Sequence, residues 1–172
     1  MSLSYAKGPS TQALLGETIG ENLERTAAPV LGNLALVSRH QNRRYTYAES
    51  NAAVDEVARG LLALGLQVGD RIGIWSPNCF EWVLVQFATA RVGLIQVNIN
   101  PAYRLSEVEY TLNKVGVKAL VCAEKFKTSD YVGMISELAP EIASSRPGDL
   151  RSKRLPDLRI VAQIGGKPRP GW

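Results

Sequence analysis

The sequence predicts an α/β fold: a doubly wound, flavodoxin-like, mostly parallel sheet with helices on both faces. The first observation is the strand period of Ile72 and Ile74, which stand two residues apart. The second is the segment Phe80–Ala90, which is apolar almost all round, as a core helix is. The third is a further apolar strand at Leu94–Ile99. A strand, a helix and a strand in this order indicate a parallel pair with a crossover.

Length and composition fit one domain or a piece of a larger one, because the 172 residues are 45% hydrophobic. No apolar run approaches the roughly 20 residues needed to span a bilayer, so we expect no transmembrane segment. Residues 1–20 are polar and lack the basic and apolar stretches of a secretory signal. We therefore expect a cytoplasmic protein.

The first 46 residues predict a short helix followed by two strands. Thr18 and Glu21 have the spacing of a capping box, in which each side chain bonds the other residue's backbone. Pro29 and Gly32 then end the helix. The polar turn His40-Gln41-Asn42 separates two predicted strands, Leu34–Ser38 and Arg43–Thr46.

Two further capping boxes predict helix starts. Thr46–Glu49 precedes apolar residues at helical spacing, and Gly65 supplies a left-handed stop. Ser106–Glu109 has the same pattern, with Glu109 completing the cap. The helices of the core are therefore predicted near residues 47–64, 79–92 and 106–115.

The remaining pattern completes the sheet. Ala119–Ala123 and Leu158–Ile164 are predicted as strands, with a helix between them at residues 128–138. Residues 140–157 are polar and contain Pro147, Gly148 and Pro156, which predicts an excursion over the surface. The chain, residues 1–172, is then one subdomain with three parts: a lead-in (1–46), a core of strands and helices (47–164) and a linker (165–172).

Cysteine, histidine and charge argue against several classes of function. Cys79 and Cys122 fall in different predicted elements and indicate no disulfide framework; Cys79 is interpreted as a small core-facing residue. His40, the single histidine, accompanies no Ser or Cys motif and is interpreted as a solvated loop residue. Residues 146–172 carry seven Lys and Arg against two Asp and Glu, without interleaved aromatics before Trp172. We therefore expect no nucleic-acid partner.

The sequence contains no phosphate loop, because neither G-x-G-x-x-G nor G-x-x-x-x-G-K-[ST] occurs. The run Gly165-Gly166-Lys167 is followed by Pro168 rather than by a helix, and is interpreted as linker. Glu107 and Glu109 stand two residues apart, so on a helix they do not face each other as a catalytic pair.

One cluster of polar residues gives the only local indication of a site. Asn98, Asn100, Tyr103 and Arg104 follow a predicted parallel strand, where α/β folds place their ligands. The alternative, which we favour, is a loop whose side chains bond backbone groups.

Five segments form a pattern by their order and spacing: Thr46–Glu49, Gly69–Asn78, Ala90–Pro101, Glu109–Leu112 and Gly116–Val121. Together they resemble the N-terminal region of adenylate-forming enzymes, which include acyl-CoA synthetases, peptide-synthetase adenylation domains and luciferase. Val92 departs slightly from the pattern, since alanine is commoner before this glycine. Flanking segments are similar to the branch with acyl-CoA synthetase family member two and bacterial fatty-acid–CoA ligases: Leu14–Gly20, Asn100–Tyr103, Phe126–Tyr131 and Arg154–Leu158.

The resemblance implies an AMP-forming acid–thiol ligase for the complete enzyme. In that family ATP and a carboxylic acid, here a fatty acid, give an acyl-adenylate, and coenzyme A then displaces AMP to form a thioester. The family's phosphate loop, adenine segment, ribose-binding Asp and catalytic Lys lie outside the region of resemblance. We therefore expect an inactive, structural N-terminal fragment with no catalytic, cofactor-binding or metal-binding residue. ATP, Mg and coenzyme A are expected for the complete enzyme only.

Two alternatives stay open beside this interpretation. One is a stand-alone flavodoxin-like module that binds a nucleotide, although the missing phosphate loop weighs against it. The other is a non-catalytic dimerisation module. The expected partners are the remainder of the synthetase, its carboxylic-acid substrate and a second copy of the chain, because an uncovered apolar face tends to self-associate.

Overall fold

The computed structural model describes Ser4, residues 6–9 and residues 11–172, in which strands and helices alternate. The strands are β1 (Leu34–Ser38), β2 (Arg43–Thr46), β3 (Arg71–Trp75), β4 (Ile95–Asn98), β5 (Val117–Ala123), β6 (Lys125–Phe126), β7 (Ser129–Asp130) and β8 (Ile160–Ile164). The α-helices are α1 (Ile19–Ala27), α2 (Tyr47–Ala63), α3 (Phe80–Arg91), α4 (Leu105–Lys114) and α5 (Tyr131–Leu138). Short 3-10 helices follow α1 at Ala28–Val30 and α5 at Pro140–Ser144.

The central sheet is parallel and has the strand order β4-β3-β5-β8. The chain passes from β3 to β4 through α3, and then returns through α4 to place β5 on the other side of β3. This reversal of direction is the mark of a doubly wound sheet. The predicted fold, with helices on both faces of a mostly parallel sheet, is confirmed.

One face of the sheet packs against α2 and α3, and we call it the α2/α3 face. Ile72 and Ile74 of β3 point to this side, as their spacing predicts, and both are fully buried. The antiparallel β1–β2 hairpin adds Leu36 and Tyr45 to the same cluster. The helices contribute the remaining apolar side chains, chiefly Val54, Ala58, Leu61, Phe80, Leu84, Val85 and Ala88.

The opposite face packs against α4 and α5, and we call it the α4/α5 face. Trp75 and Leu120 from the sheet meet Val108, Leu112 and Ile135 from the helices. The predicted surface excursion at residues 140–157 is wrong in part, because it delivers buried side chains to this cluster: Ile142, Leu150 and Leu155. Their irregular spacing matches neither the helical nor the strand period, so periodicity alone does not detect them.

Two of the three predicted capping boxes are confirmed, and the third is wrong. At Thr18 and Thr46 both halves of the predicted capping box are present. The third box is wrong: Arg104 is the N-cap of α4, and its backbone N–H donates to Glu107 at 2.7 Å. Glu109, two residues beyond the position that completes the cap, accepts two hydrogen bonds from the Arg154 guanidinium instead.

The helix predicted over residues 128–138 begins three residues later, at Tyr131. A two-residue hairpin, β6–β7, occupies the preceding segment and turns at Lys127, whose φ is 52°. Asp130 then caps α5, because its carboxylate accepts the Gly133 N–H at 2.8 Å.

Candidate functional site

The carboxyl ends of the parallel strands meet at one edge of the sheet, where open α/β folds bind ligands. The winding of this chain reverses between β3 and β5, so the exits of these two strands form the topological switch point. The segments that line the edge are Ser76–Cys79 after β3, Ile99–Arg104 after β4, Glu124 after β5 and Gly165–Arg169 after β8.

The switch point is filled by two aromatic side chains. Trp75, the last residue of β3, stacks on Tyr131 with ring centroids 4.1 Å apart, and both residues are fully buried. The indole N–H donates to the Asn100 carbonyl at 3.1 Å, and the Tyr131 hydroxyl donates to the Pro101 carbonyl at 2.6 Å. The position where a flavodoxin-like module would hold its ligand is therefore occupied by the chain itself.

The four polar residues predicted at the exit of β4 make four separate contacts. The Asn100 side chain accepts the Ala102 N–H at 2.9 Å and closes a local turn. Asn98 accepts from the Gln96 amide at 2.7 Å, and the Arg104 guanidinium donates to the Thr128 hydroxyl at 3.0 Å. Tyr103 packs against the α4/α5 face. These contacts brace the loop and do not converge on a common point.

The loop between β3 and α3 is tied to the β1–β2 hairpin by one side chain. The Gln41 amide oxygen accepts the Phe80 N–H at 2.7 Å, and its NH₂ group donates to the Glu81 carboxylate at 2.7 Å. The first turn of α3 is thus satisfied by a residue from a distant turn. A cleft of about 290 Å³ lies between these two elements, with His40 on one side and Asn78 and Cys79 on the other.

The exits of β5 and β8 are joined by an arginine from the segment predicted as linker. Arg169 donates to Glu124 at 2.7 Å and to the Gln163 side chain at 2.8 Å. The run from Gly165 to Arg169 curves around a cleft of about 320 Å³, and Trp172 then packs against the α4/α5 face. Sequence reasoning missed this contact, since a basic, glycine- and proline-rich run carries no periodic signal.

The two cysteine thiols are poorly suited to nucleophilic chemistry. Burial raises the pKa of the half-buried Cys79 thiol, and it raises that of the buried Cys122 thiol to about 12, so both are protonated at neutral pH. Among the described residues no group of three His, Cys, Asp or Glu side chains could hold a metal ion.

Within Ser4, residues 6–9 and residues 11–172, no helix is both long enough and apolar enough to cross a membrane.

Comparison with known proteins identifies the family. A sequence model of the family described as AMP-binding enzyme matches residues 23–163, which include β3, β4, β5 and all but the last residue of β8. The chain belongs to the AMP-binding enzyme family. The match spans the β1–β2 hairpin, the helices α2 to α5 and the switch point between β3 and β5.

Relatives within the AMP-binding enzymes are considerably longer than this chain. It is 47% identical over 169 residues to the mitochondrial medium-chain acyl-CoA ligase ACSF2 of Macaca fascicularis, which covers 98% of this chain and 27% of the relative. The human protein of the same name is 46% identical over the same length. The chain therefore spans about a quarter of the length of these relatives.

A solved structure shows the same fold at lower identity. The anthranilate CoA ligase AuaEII, in complex with anthranoyl-AMP, superposes with a TM-score of 0.75 and 22% sequence identity. The superposition covers 91% of this chain and 26% of that protein. The described strands and helices are therefore arranged as in a corresponding quarter of a longer AMP-binding ligase.

Proposed function

We propose that this chain is the N-terminal part of an ATP-dependent acyl-CoA ligase, which converts a fatty acid into its coenzyme A thioester through an acyl-adenylate. The observation that carries the proposal is the 47% identity to a medium-chain acyl-CoA ligase over 98% of the chain. An identity of this size extends through both faces of the sheet rather than through one motif. A medium-chain fatty acid is accordingly the first substrate to test.

Within that enzyme we expect the phosphates of ATP and coenzyme A to be bound outside the described residues. A phosphate group would need free backbone N–H groups at a helix start, or a glycine-rich loop. The starts of three helices at or near the carboxyl edge are instead bonded by side chains of this chain, through Gln41 for α3, Glu107 for α4 and Asp130 for α5. We therefore assign a scaffolding role to these residues and no catalytic role.

The proposal predicts that the chain alone is inactive but functions in a complete enzyme. We expect pyrophosphate release by the isolated chain to stay at background with ATP, Mg, octanoate and coenzyme A. A chimera in which this chain replaces the matching residues of human ACSF2 should recover octanoyl-CoA formation. The control chimera carries Leu120→Asp, which places a charge in the buried sheet and should abolish activity.

Two results would contradict the proposal. A folded but inactive chimera, in a preparation where intact human ACSF2 is active, would remove the assignment to an acyl-CoA ligase. Tight binding of a nucleotide by the isolated chain would instead favour the independent nucleotide-binding module.

A dimerisation role is a second candidate, because β4 leaves one edge of the sheet open. Ile95 of β4 is 51% exposed, and Val68, beside the nearby Gly93, is 82% exposed. Unpaired strand edges with apolar side chains favour association of two copies. Sedimentation velocity over a concentration series should therefore show a dimer, and Ile95→Lys should shift it to monomer. A monomer at every concentration would exclude this role.

The cytoplasmic location expected from the sequence stays a proposal, whereas the ACSF2 relatives carry the word mitochondrial in their names. Imaging of the full-length gene product with a C-terminal fluorescent tag distinguishes the two compartments. A diffuse signal supports the proposal, and a signal confined to mitochondria contradicts it.

A further inference from the structure

The β1–β2 hairpin presents an exposed surface that combines arginines with apolar side chains. Its apolar members, Leu31, Leu34 and Val37, are 47%, 57% and 44% exposed. Its charged members, Arg39, Arg43 and Arg44, are also exposed. We call these six residues the basic hairpin surface. Val37, Arg39, Arg43 and Arg44 line one shallow cleft at the turn end of the hairpin, whereas Leu36 and Tyr45 point inward to the α2/α3 face.

The surface has a strong excess of positive charge. Between Thr26 and Ala48 the sequence contains no acidic residue, and it contains three arginines. Among the described residues none of these arginines forms a salt bridge. Arg43 interacts electrostatically with the half-buried Glu81, and its charge contributes to the lowered pKa of that carboxyl group. Arg39 and Arg44 are therefore available to an external anion.

The hairpin is held rigidly by its inner side, so its outer side needs no rearrangement to bind a partner. Tyr45 stacks on Phe80 with ring centroids 4.4 Å apart. Gln41 bonds the first turn of α3 at two atoms. Because the backbone is already ordered, little backbone conformational entropy is lost when the exposed side chains engage a surface.

The combination of charges and aliphatic groups identifies the partner. Val37 lies directly opposite Arg44 in the hairpin register, so an apolar and a cationic side chain are neighbours on the same face of the hairpin. An anionic bilayer presents phosphates to the arginines and acyl chains to the aliphatic groups. A single-stranded nucleic acid would be bound by cations interleaved with stacking aromatics, yet Tyr45 in this fully described segment is directed into the core. We propose that the basic hairpin surface docks the protein on an anionic lipid bilayer.

Vesicle flotation with the 172-residue chain tests this proposal. We expect binding to phosphatidylcholine vesicles that contain phosphatidylserine, and no binding to phosphatidylcholine alone. The triple variant Arg39→Gln, Arg43→Gln, Arg44→Gln should bind about a hundredfold more weakly, at about fivefold per arginine near the membrane surface. The double variant Leu34→Ser, Val37→Ser should weaken binding about tenfold, because its apolar contribution is lost.

A matched control removes the same charge elsewhere. Lys114, Arg146 and Lys153 are exposed and, among the described residues, outside any salt bridge, so their triple substitution by Gln should leave binding unchanged. Equal losses in both triple variants would mean that net charge, not this surface, drives binding. No binding to phosphatidylserine vesicles would also overturn the proposal. Binding of the wild type to a double-stranded oligonucleotide, but not to any vesicle, would likewise overturn the proposal. Circular dichroism of each variant checks that the fold is retained.

Discussion

The two faces of the sheet are built in different ways. On the α2/α3 face the buried side chains come from long elements with regular spacing, such as Val54, Ala58 and Leu61 of α2. On the α4/α5 face irregular chain also contributes to the core, and single residues such as Leu150 and Leu155 fill the gaps. Backbone hydrogen bonds hold this irregular chain, including Leu150 N–H to the Arg159 carbonyl at 3.0 Å. Periodicity therefore predicts one core well and the other only partly.

The largest effect is expected on the α4/α5 face, at Trp75. Trp75→Ala removes the stack on Tyr131 and the hydrogen bond to the Asn100 carbonyl, and should lower the free energy of unfolding by about 3–5 kcal/mol. Urea unfolding followed by circular dichroism measures the change. Trp75→Phe keeps an aromatic ring and loses mainly the N–H bond, so it should cost only about 1 kcal/mol. Equal costs for both variants would contradict the role given to the stack.

A matched pair of leucines compares the two faces directly. Leu155, in the irregular segment, and Leu61, on α2, are both buried. Each substitution by alanine should lower the free energy of unfolding by about 2–5 kcal/mol, because each leaves a cavity. The exposed Leu64 is the control, and its substitution by alanine should cost less than about 0.5 kcal/mol. If Leu155→Ala behaves like the Leu64 variant, the irregular segment is not part of the core.

A smaller effect sharpens the comparison of the helix starts. The Thr46 hydroxyl caps α2 on one face, so Thr46→Ala should cost about 1 kcal/mol. Ser106, which has the same sequence pattern on the other face, lies inside α4 and is not its cap. Ser106→Ala should therefore be nearly neutral in the same unfolding experiment. A loss of similar size at both positions would instead support Ser106 as the N-cap of α4, as predicted from the sequence.

The smallest effect is expected at Glu109, whose pKa is held below its usual value of 4.5 by hydrogen bonds from Arg154. A carboxyl with a lower pKa in the folded state contributes stability above the pKa of the unfolded chain, and loses it as pH falls through the folded pKa. On acidification below about pH 4.5 the wild type should therefore lose slightly more stability than Glu109→Gln. Thermal melts at pH 7 and pH 3 compare the two, and identical shifts would refute the assigned pair.

What the sequence could predict follows the same division. The β3–α3–β4 unit and the two threonine caps depend on neighbouring residues, so local patterns were sufficient for their prediction. Glu109 was placed in a cap because its true partner, Arg154, is 45 residues away. At the carboxyl edge Asn98 is the last residue of β4, and Asn100, Tyr103 and Arg104 follow it. Their contacts with Trp75, Thr128 and the α4/α5 face depend on tertiary packing, which spacing does not contain.

The hydrogen bond to Gln41 makes the protection of the Phe80 amide from hydrogen exchange depend on the hairpin. The first turn of α3 obtains a hydrogen-bond acceptor for the Phe80 N–H only after the β1–β2 hairpin has docked, 39 residues away along the chain. Deuterium exchange at this single amide therefore monitors hairpin detachment, while exchange in the middle of α3 monitors opening of the helix itself. The difference between the two rates measures how often the hairpin separates from an otherwise intact sheet.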